Sequence, residues 1–215
     1  VSAGQAILER LLCGESCALV TDAGTPAISD PGEELVRLCA QHDVEVLSIP
    51  GCCAAVNALA VSGLPTGRFT FEGFLTVNRK SRREHLESLK TEERTMIFHE
   101  APHKLRTTLA DLRDTFGPDR QIALCRELTK LHEQTRRCTL AEAVDYYAEN
   151  EPKGEFVLVV AGAEKQTETT ISLEEAVDLV LERKAQGMRL KDAVRDVAAD
   201  TGLSKNELYA AALER

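Results

Sequence analysis

The chain has 215 residues, 43% of them hydrophobic, seven cysteines and a formal net charge of -9, enough for one large globular domain or two small ones. No run reaches the roughly 18 to 20 apolar residues of a membrane span and no basic leader precedes an apolar segment, so a soluble, cytoplasmic protein is expected, and the acidic total confines any RNA contact to a local patch. The cysteines are odd in number and several lie in apolar stretches (Cys13, Cys17, Cys39, Cys125) without paired ligand spacing, which predicts core packing in place of disulfides or a metal.

The chain opens with Ile7, Leu8, Leu11 and Leu12 on one helical face before Gly14 ends the helix. Residues 17–20 form a short apolar run that fits a buried strand, and it stops where Asp22, Gly24, Thr25 and Pro26 follow in quick succession. Asp30 suits a helix N-cap, Pro31 the first helical position, and Glu33 and Glu34 the positive end of the dipole. A second run, 44–49, alternates and enters Pro50-Gly51-Cys52-Cys53-Ala54-Ala55. Two strand-loop-helix turns at the carboxyl ends of parallel strands make a cleft in which backbone N–H groups converge on a ligand. Two parallel strands are too few to bury both faces of a sheet, so further strands of the same sheet are expected before Val1.

Residues 54–61 read as a small apolar helix closed by Gly63, and 64–67 as a turn-rich connector, which places a domain boundary after 67. Next comes a half-buried strand at 69–74, then a basic loop at 78–83 leading into a helix through Lys90. A strand at 95–99 runs into Glu100-Ala101-Pro102-His103 and a helix at 104–115. Strands at 121–125, near 133–138 and at 156–161, with a helix at 140–148, complete an α/β segment with a mixed sheet. Residues 1–67 carry two Lys/Arg against eight Asp/Glu, whereas 68–165 carry seventeen of each sign. Arg79, Lys80, Arg82 and Arg83 form the basic patch, which suits phosphates as well as plain solvation.

Residues 163–171 are polar and read as a linker. Helices are expected at 173–186, 190–200 and 205–214, with Ser204 as N-cap and Gly202 making a turn. This spacing fits a helix-turn-helix or a plain bundle, and the tail's charge of seven positive against ten negative residues leaves both open. The domains are therefore expected at 1–67, 68–165 and 166–215, the last being linker and helical tail.

Thr21-Asp22-Ala23-Gly24-Thr25-Pro26, Asp30-Pro31-Gly32, Pro50-Gly51 with Ala54-Ala55, Gly63-Leu64-Pro65, Phe71-Glu72-Gly73-Phe74, Arg126-Glu127-Leu128-Thr129-Lys130 and Lys153-Gly154-Glu155 occur in the order in which similar motifs occur in one family. The chain resembles the tetrapyrrole-methylase family of S-adenosylmethionine-dependent methyltransferases, in its branch that acts on small-subunit ribosomal RNA. The resemblance implies two α/β domains with the cofactor between them, a parallel sheet first and a mixed sheet second, and a helical tail. It implies 2′-O-methylation of a cytidine ribose in 16S ribosomal RNA, a homodimer, and the RNA or the assembled small subunit as partner. Carried over by motif, Asp22, Ala23, Gly24, Thr25, Pro26, Cys53 and Ala54 line the cofactor. Glu100, Arg126, Gly154 and Glu155 approach from the second domain. Position 52, often proline in this branch, is Cys52 here, and the family's Pro-Ile-Gly-Asn loop does not occur in the chain.

A ribose hydroxyl is a weak nucleophile, so a nearby proton acceptor would assist its attack on a methyl group. Glu100 and Glu127, each following a strand, are the candidate bases. Each also has a structural reading: a helix N-terminal charge for Glu100, a salt bridge to Arg126 or Lys130 for Glu127. Arg79, Lys80, Arg82, Arg83 and Lys130 are the candidate RNA contacts, His99 and His103 are expected to pack or cap, and no metal is needed. The alternatives are methylation of a tetrapyrrole such as a precorrin and a non-catalytic nucleic-acid-binding module.

Overall fold

Residues 96–98 and 156–160 are unbroken apolar runs and so demand cover on both faces. They lie in two of the three inner strands of a five-stranded mixed sheet in the computed structural model, which describes residues 3–164 and 172–213. Its strands are β1 (Phe69–Phe74), β2 (Thr95–Glu100), β3 (Gln121–Arg126), β4 (Gln134–Thr139) and β5 (Phe156–Val160). The order is β1-β2-β5-β3-β4. β1 runs parallel to β2 with a bulge between Phe71 and Gly73, and every other neighbouring pair is antiparallel. Gly73, at φ 63, supplies the left-handed residue the bulge needs.

Helices α4 (Arg79–Ser88), α5 (Pro102–Phe116) and α6 (Leu140–Glu149) follow β1, β2 and β4. Leu105, Leu109, Leu112, Leu140 and Tyr147 from α5 and α6 bury one sheet face through Met96, Phe98, Leu124 and Leu158. Each fully buried leucine of this layer contributes about 1.5 to 3 kcal/mol of transfer free energy. The other face is covered by α3 (Ala54–Ser62), whose Ala55, Ala58 and Leu59 meet Ile97, Ala123, Cys125 and Val159. Small side chains let this helix lie close to the sheet. Its carboxyl end is tied down by Arg137, which donates to the Val61 and Ser62 carbonyls.

α3 therefore packs on the sheet that follows it, and the expected boundary after 67 is no break in packing: the chain divides into Val1–Ala163 and Glu164–Arg215. Ahead of α3 lie α1 (Ala3–Leu12) and α2 (Glu33–Gln41), which pack on each other. The expected strands at 17–20 and 44–49 form no regular secondary structure and join no sheet, and Val20 and Ile49 are 81% and 82% exposed. A strand exists only by virtue of a ladder partner, and none faces these two among the described residues. The start of α2 also differs from expectation. Ala27 and Ser29 adopt φ 65 and 61 and Gly32 φ 135, so the chain turns repeatedly through Asp30 and Pro31, and the helix begins at Glu33 with Gly32 as N-cap.

In the second unit, α7 (Leu173–Ala185), α8 (Leu190–Thr201) and α9 (Lys205–Leu213) close a core of Ala176, Val180, Val197, Leu208 and Ala212. Ser172 and Glu175 form a capping box on α7. Gly202, at φ 71, ends α8 in the left-handed conformation and turns the chain into α9. Of the linker expected at 163–171, residues 165–171 lie outside the described residues, as does Glu214. Among the described residues no helix is long and apolar enough to cross a membrane.

Candidate functional site

The two turns that follow residues 17–20 and 44–49 come together. Thr25 Oγ1 donates to the Cys52 carbonyl at 3.1 Å, joining the loop of Asp22, Ala23, Gly24, Thr25 and Pro26 to the turn that ends in Cys53 and Ala54. Gly24 adopts φ +78, and a Cβ there would stand 3.6 Å from the Cys52 carbonyl oxygen. Both turns are largely exposed, and the Asp22 carboxylate has no hydrogen-bonding or ionic partner among the described residues. Cys53 caps α3 without a side-chain hydrogen bond, which leaves the first N–H groups of that helix directed at the same region.

The face of the sheet that α3 covers contributes His99 at the end of β2. Its ring meets Phe71 and Phe74 edge-on at 5.2 and 5.4 Å. His99 Nε2 is enclosed and has no hydrogen-bond partner among the described residues. Burial holds the imidazole pKa below its ordinary value, against the opposing pull of Asp30 and Glu155. The sequence did not mark out His99 as part of a site. β2 is buried on both faces, so alternation alone cannot tell which face His99 occupies.

Glu127 belongs to a braced turn. Its N–H donates to the Glu155 carbonyl at 3.0 Å, and its Oε1 accepts from the Glu155 N–H at 2.9 Å and from Lys130 Nζ at 3.2 Å. Lys130 also reaches Glu155 Oε2 at 2.9 Å. These bonds hold Glu127 and Thr129 at φ 50 and 65, a region non-glycine residues rarely enter. Gly154, at φ +81, leaves the space that the Glu127 carboxylate fills: a Cβ there would come within 2.6 Å of Oε1. The backbone N–H of Glu155, and next the Lys130 ammonium, hold the Glu127 carboxyl below its ordinary pKa, which suits a brace better than a base. A depressed carboxylate pKa adds stability that is present above the unfolded value and lost as pH falls through the folded one. The amide nitrogen shift of Glu155 should accordingly titrate below the ordinary glutamate range; a midpoint at or above that range would remove the brace.

The structure separates the remaining candidates from this site. Glu100 is 4% exposed and lies on the α5 face. Its Oε1 accepts from the Ala101 N–H at 2.9 Å and its Oε2 from the Thr108 hydroxyl. Thr108 in turn accepts from Arg82 Nη2 at 2.8 Å, and Arg82 Nε pairs with Asp111 at 2.6 Å. Glu100 is thus engaged in a buried network, and Arg82, 7% exposed, is withdrawn from solvent. The expected loop at 78–83 is the first turn of α4, with Asn78 Oδ1 accepting from the Lys80 and Ser81 N–H groups, and only Arg79, Lys80 and Arg83 project outward. Arg126 also lies opposite α3. It donates from Nε to the Lys153 carbonyl at 2.6 Å and lines a cavity with Tyr146, Tyr147 and Phe156, apart from Cys53 and Ala54.

The chain is similar to known proteins. The profile of the family described as tetrapyrrole (corrin/porphyrin) methylases matches residues 2–144, and that of the RsmI C-terminal HTH domain matches 172–215. The ribosomal RNA small subunit methyltransferase I of Synechocystis sp. is 47% identical over 210 residues, 98% of this chain and 75% of that protein. Its counterpart from Pseudomonas aeruginosa is 44% identical over 217 residues, 99% of this chain and 76% of that protein. Among solved structures, the methyltransferase CobJ superposes with a TM-score of 0.56 at 22% identity, covering 74% of this chain and 70% of that one. A cobalt-precorrin-4 methyltransferase reaches 0.52 at 16% identity, covering 74% and 69%. The last two show a shared fold.

Proposed function

Since the chain belongs to the tetrapyrrole (corrin/porphyrin) methylases, we propose that it methylates small-subunit ribosomal RNA, at the 2′-oxygen of a cytidine ribose. The observation that carries the reading is the 47% identity across 98% of the chain to a ribosomal RNA methyltransferase, with the helical tail matched as well. The cofactor is S-adenosylmethionine, which supplies a methyl group on a sulfonium whose thioether leaves without needing a proton.

The residues of the joined turns fit such a molecule. Gly24 and Gly51 let two backbones approach it, the unpartnered Asp22 carboxylate can accept from an amine or ribose hydroxyl, and the uncapped start of α3 favours a carboxylate. Asp22 to Pro26 with Cys53 and Ala54 form one wall, and Gly154 and Glu155, close to His99, form the other. Most of the rate then comes from holding the acceptor oxygen in line with the methyl, an effect that reaches about 7 to 11 kcal/mol for well-oriented reactants. With the carboxylates of Glu100 and Glu127 engaged, His99, whose pKa burial lowers, is the candidate acceptor of the proton. A second copy of the chain and the assembled small subunit are the proposed partners.

The test is methyl transfer from labelled cofactor to three acceptors: assembled small subunits, naked small-subunit RNA and a precorrin. Label in a ribonuclease-resistant dinucleotide containing cytidine is expected, because a 2′-O-methyl group blocks cleavage. Label in the precorrin alone would overturn the reading. Replacing Arg79, Lys80 and Arg83 together with serine should flatten the dependence of log affinity on log salt by about 0.7 per lost contact on single-stranded RNA. An unaltered slope would assign the three to solvent.

A further inference from the structure

Behind Arg126, on the sheet face that α5 and α6 cover, lies a cavity of about 230 Å³ whose walls include Arg126, Tyr146, Tyr147, Asn150, Lys153 and Phe156. It is smaller than the ~300 to 1,000 Å³ typical of sites for drug-sized ligands, so it admits one ring, with a phosphoester left at its open mouth beside the exposed Lys153, and excludes a whole cofactor. Its walls combine aromatic surface with the positive charges of Arg126 and Lys153 and one carboxylate, Glu151. Tyr147 stands edge-on to both Tyr146 and Phe156, at 5.0 and 5.8 Å, and the Arg136 guanidinium covers the Tyr146 ring at 3.5 Å. Arg126 spends only Nε on the protein, on the Lys153 carbonyl, and its terminal nitrogens have no partner among the described residues. Lys153 faces Glu151 at 3.2 Å, but both are at least 70% exposed, and such a pair holds weakly in water. Asn150 adds an amide at the rim, bonded to the Tyr146 carbonyl.

The sheet register places this cavity beside the site already described. Glu100 and Arg126 both pair with Phe156, and His99 and Cys125 both pair with Val157. Arg126 therefore stands one rung beyond His99, on the opposite face and two strands away. Two strand spacings amount to about 10 Å, or about three stacked nucleotides at ~3.4 Å each.

We propose that this cavity is an RNA subsite that takes one unstacked nucleotide flanking the acceptor, its base against the half-buried Tyr146 and its phosphate on Arg126 and Lys153. The proposal rests on the ribosomal RNA reading. Aromatic rings hold a splayed base without regard to sequence, and a fork of unpaired guanidinium nitrogens suits a phosphate. A strand crossing the end of the sheet would thereby be pinned on one face while its neighbouring ribose is presented on the other.

The test uses the full chain, a single-stranded hexaribocytidylate as probe, and Tyr146→Leu and Lys153→Ser as variants, with melting temperatures recorded. Lys153 is exposed, so Lys153→Ser keeps the test open if Tyr146→Leu folds poorly. Tyr146→Leu should weaken probe binding by at least about fivefold, the low end for loss of one base–aromatic stack. Lys153→Ser should lower the salt slope by about 0.7, and cofactor affinity should be unchanged in both. Wild-type affinity and slope in Lys153→Ser, together with wild-type affinity in any folded Tyr146→Leu, would overturn the subsite while leaving the ribosomal RNA reading intact. A wild-type chain that binds no probe and labels no small-subunit RNA would overturn both.

Discussion

Gly24→Val is expected to abolish S-adenosylmethionine binding while leaving the chain folded. Gly24 sits at φ +78, and its Cβ would stand in ordinary contact with the Cys52 carbonyl, so the loss arises from backbone conformation and not from a collision. A β-branched residue in the left-handed region costs about 1 to 2 kcal/mol, and the exposed loop relieves that cost by abandoning the conformation. The Thr25 bond to Cys52 then breaks and the two turns part. Asp22→Ala tests the same wall without strain. Removing a hydrogen bond to a charged group is worth about 1.5 to 3 kcal/mol, which is roughly a tenfold to hundredfold rise in dissociation constant. Calorimetric titration of both variants decides, with far-ultraviolet dichroism as the control for folding. Unchanged affinity in both would remove the turns from the cofactor site.

How far the sequence carried these conclusions depends on whether the governing interaction was local. β1, β3 and α5 were legible because the alternation of 69–74, the short apolar run of 121–125 and flanking turns are properties of a few adjacent residues, although α5 begins at Pro102, two residues before the expected 104. The segments at 17–20 and 44–49 have a strand's composition, yet a strand requires a partner that composition does not provide. α4 was read as beginning too late. Asn78 is a good N-cap, but Arg79, Lys80, Arg82 and Arg83 crowd the positive end of the helix dipole, so the local charge argued for a loop. The burial of Arg82 removes one of the four cations from that conflict. The candidate site was half legible: the two turns are marked by Gly24, Pro26 and Gly51. Which side chains share their face is a question of phase. Adjacent residues of a strand point to opposite faces, so Cys125 and Arg126 part, as do His99 and Glu100. Nothing in the sequence of β2 or β3 says which face α3 will cover.

Arg82→Ala is expected to destabilise the first unit without altering the salt dependence of RNA binding. Arg82 Nε holds Asp111 at 2.6 Å and Nη2 donates to Thr108 at 2.8 Å, while the Thr108 hydroxyl donates to Glu100. Removing the guanidinium leaves the Asp111 carboxylate without its cation. It also leaves the Thr108 oxygen with an unmet acceptor beside a carboxylate that is almost fully buried. Breaking a buried pair costs about 3 to 5 kcal/mol. Because the Asp111 side chain retains 40% exposure, water compensates in part, and a loss of about 2 kcal/mol is the expected result. Arg82→Lys restores a charge but not the two-pronged geometry, so it should recover only part of that loss. Chemical denaturation of the three proteins measures the stabilities, and RNA binding at several salt concentrations measures the slope. A stability equal to wild type combined with a flattened slope would return Arg82 to the RNA-binding surface and dissolve the network that links α4, α5 and the end of β2.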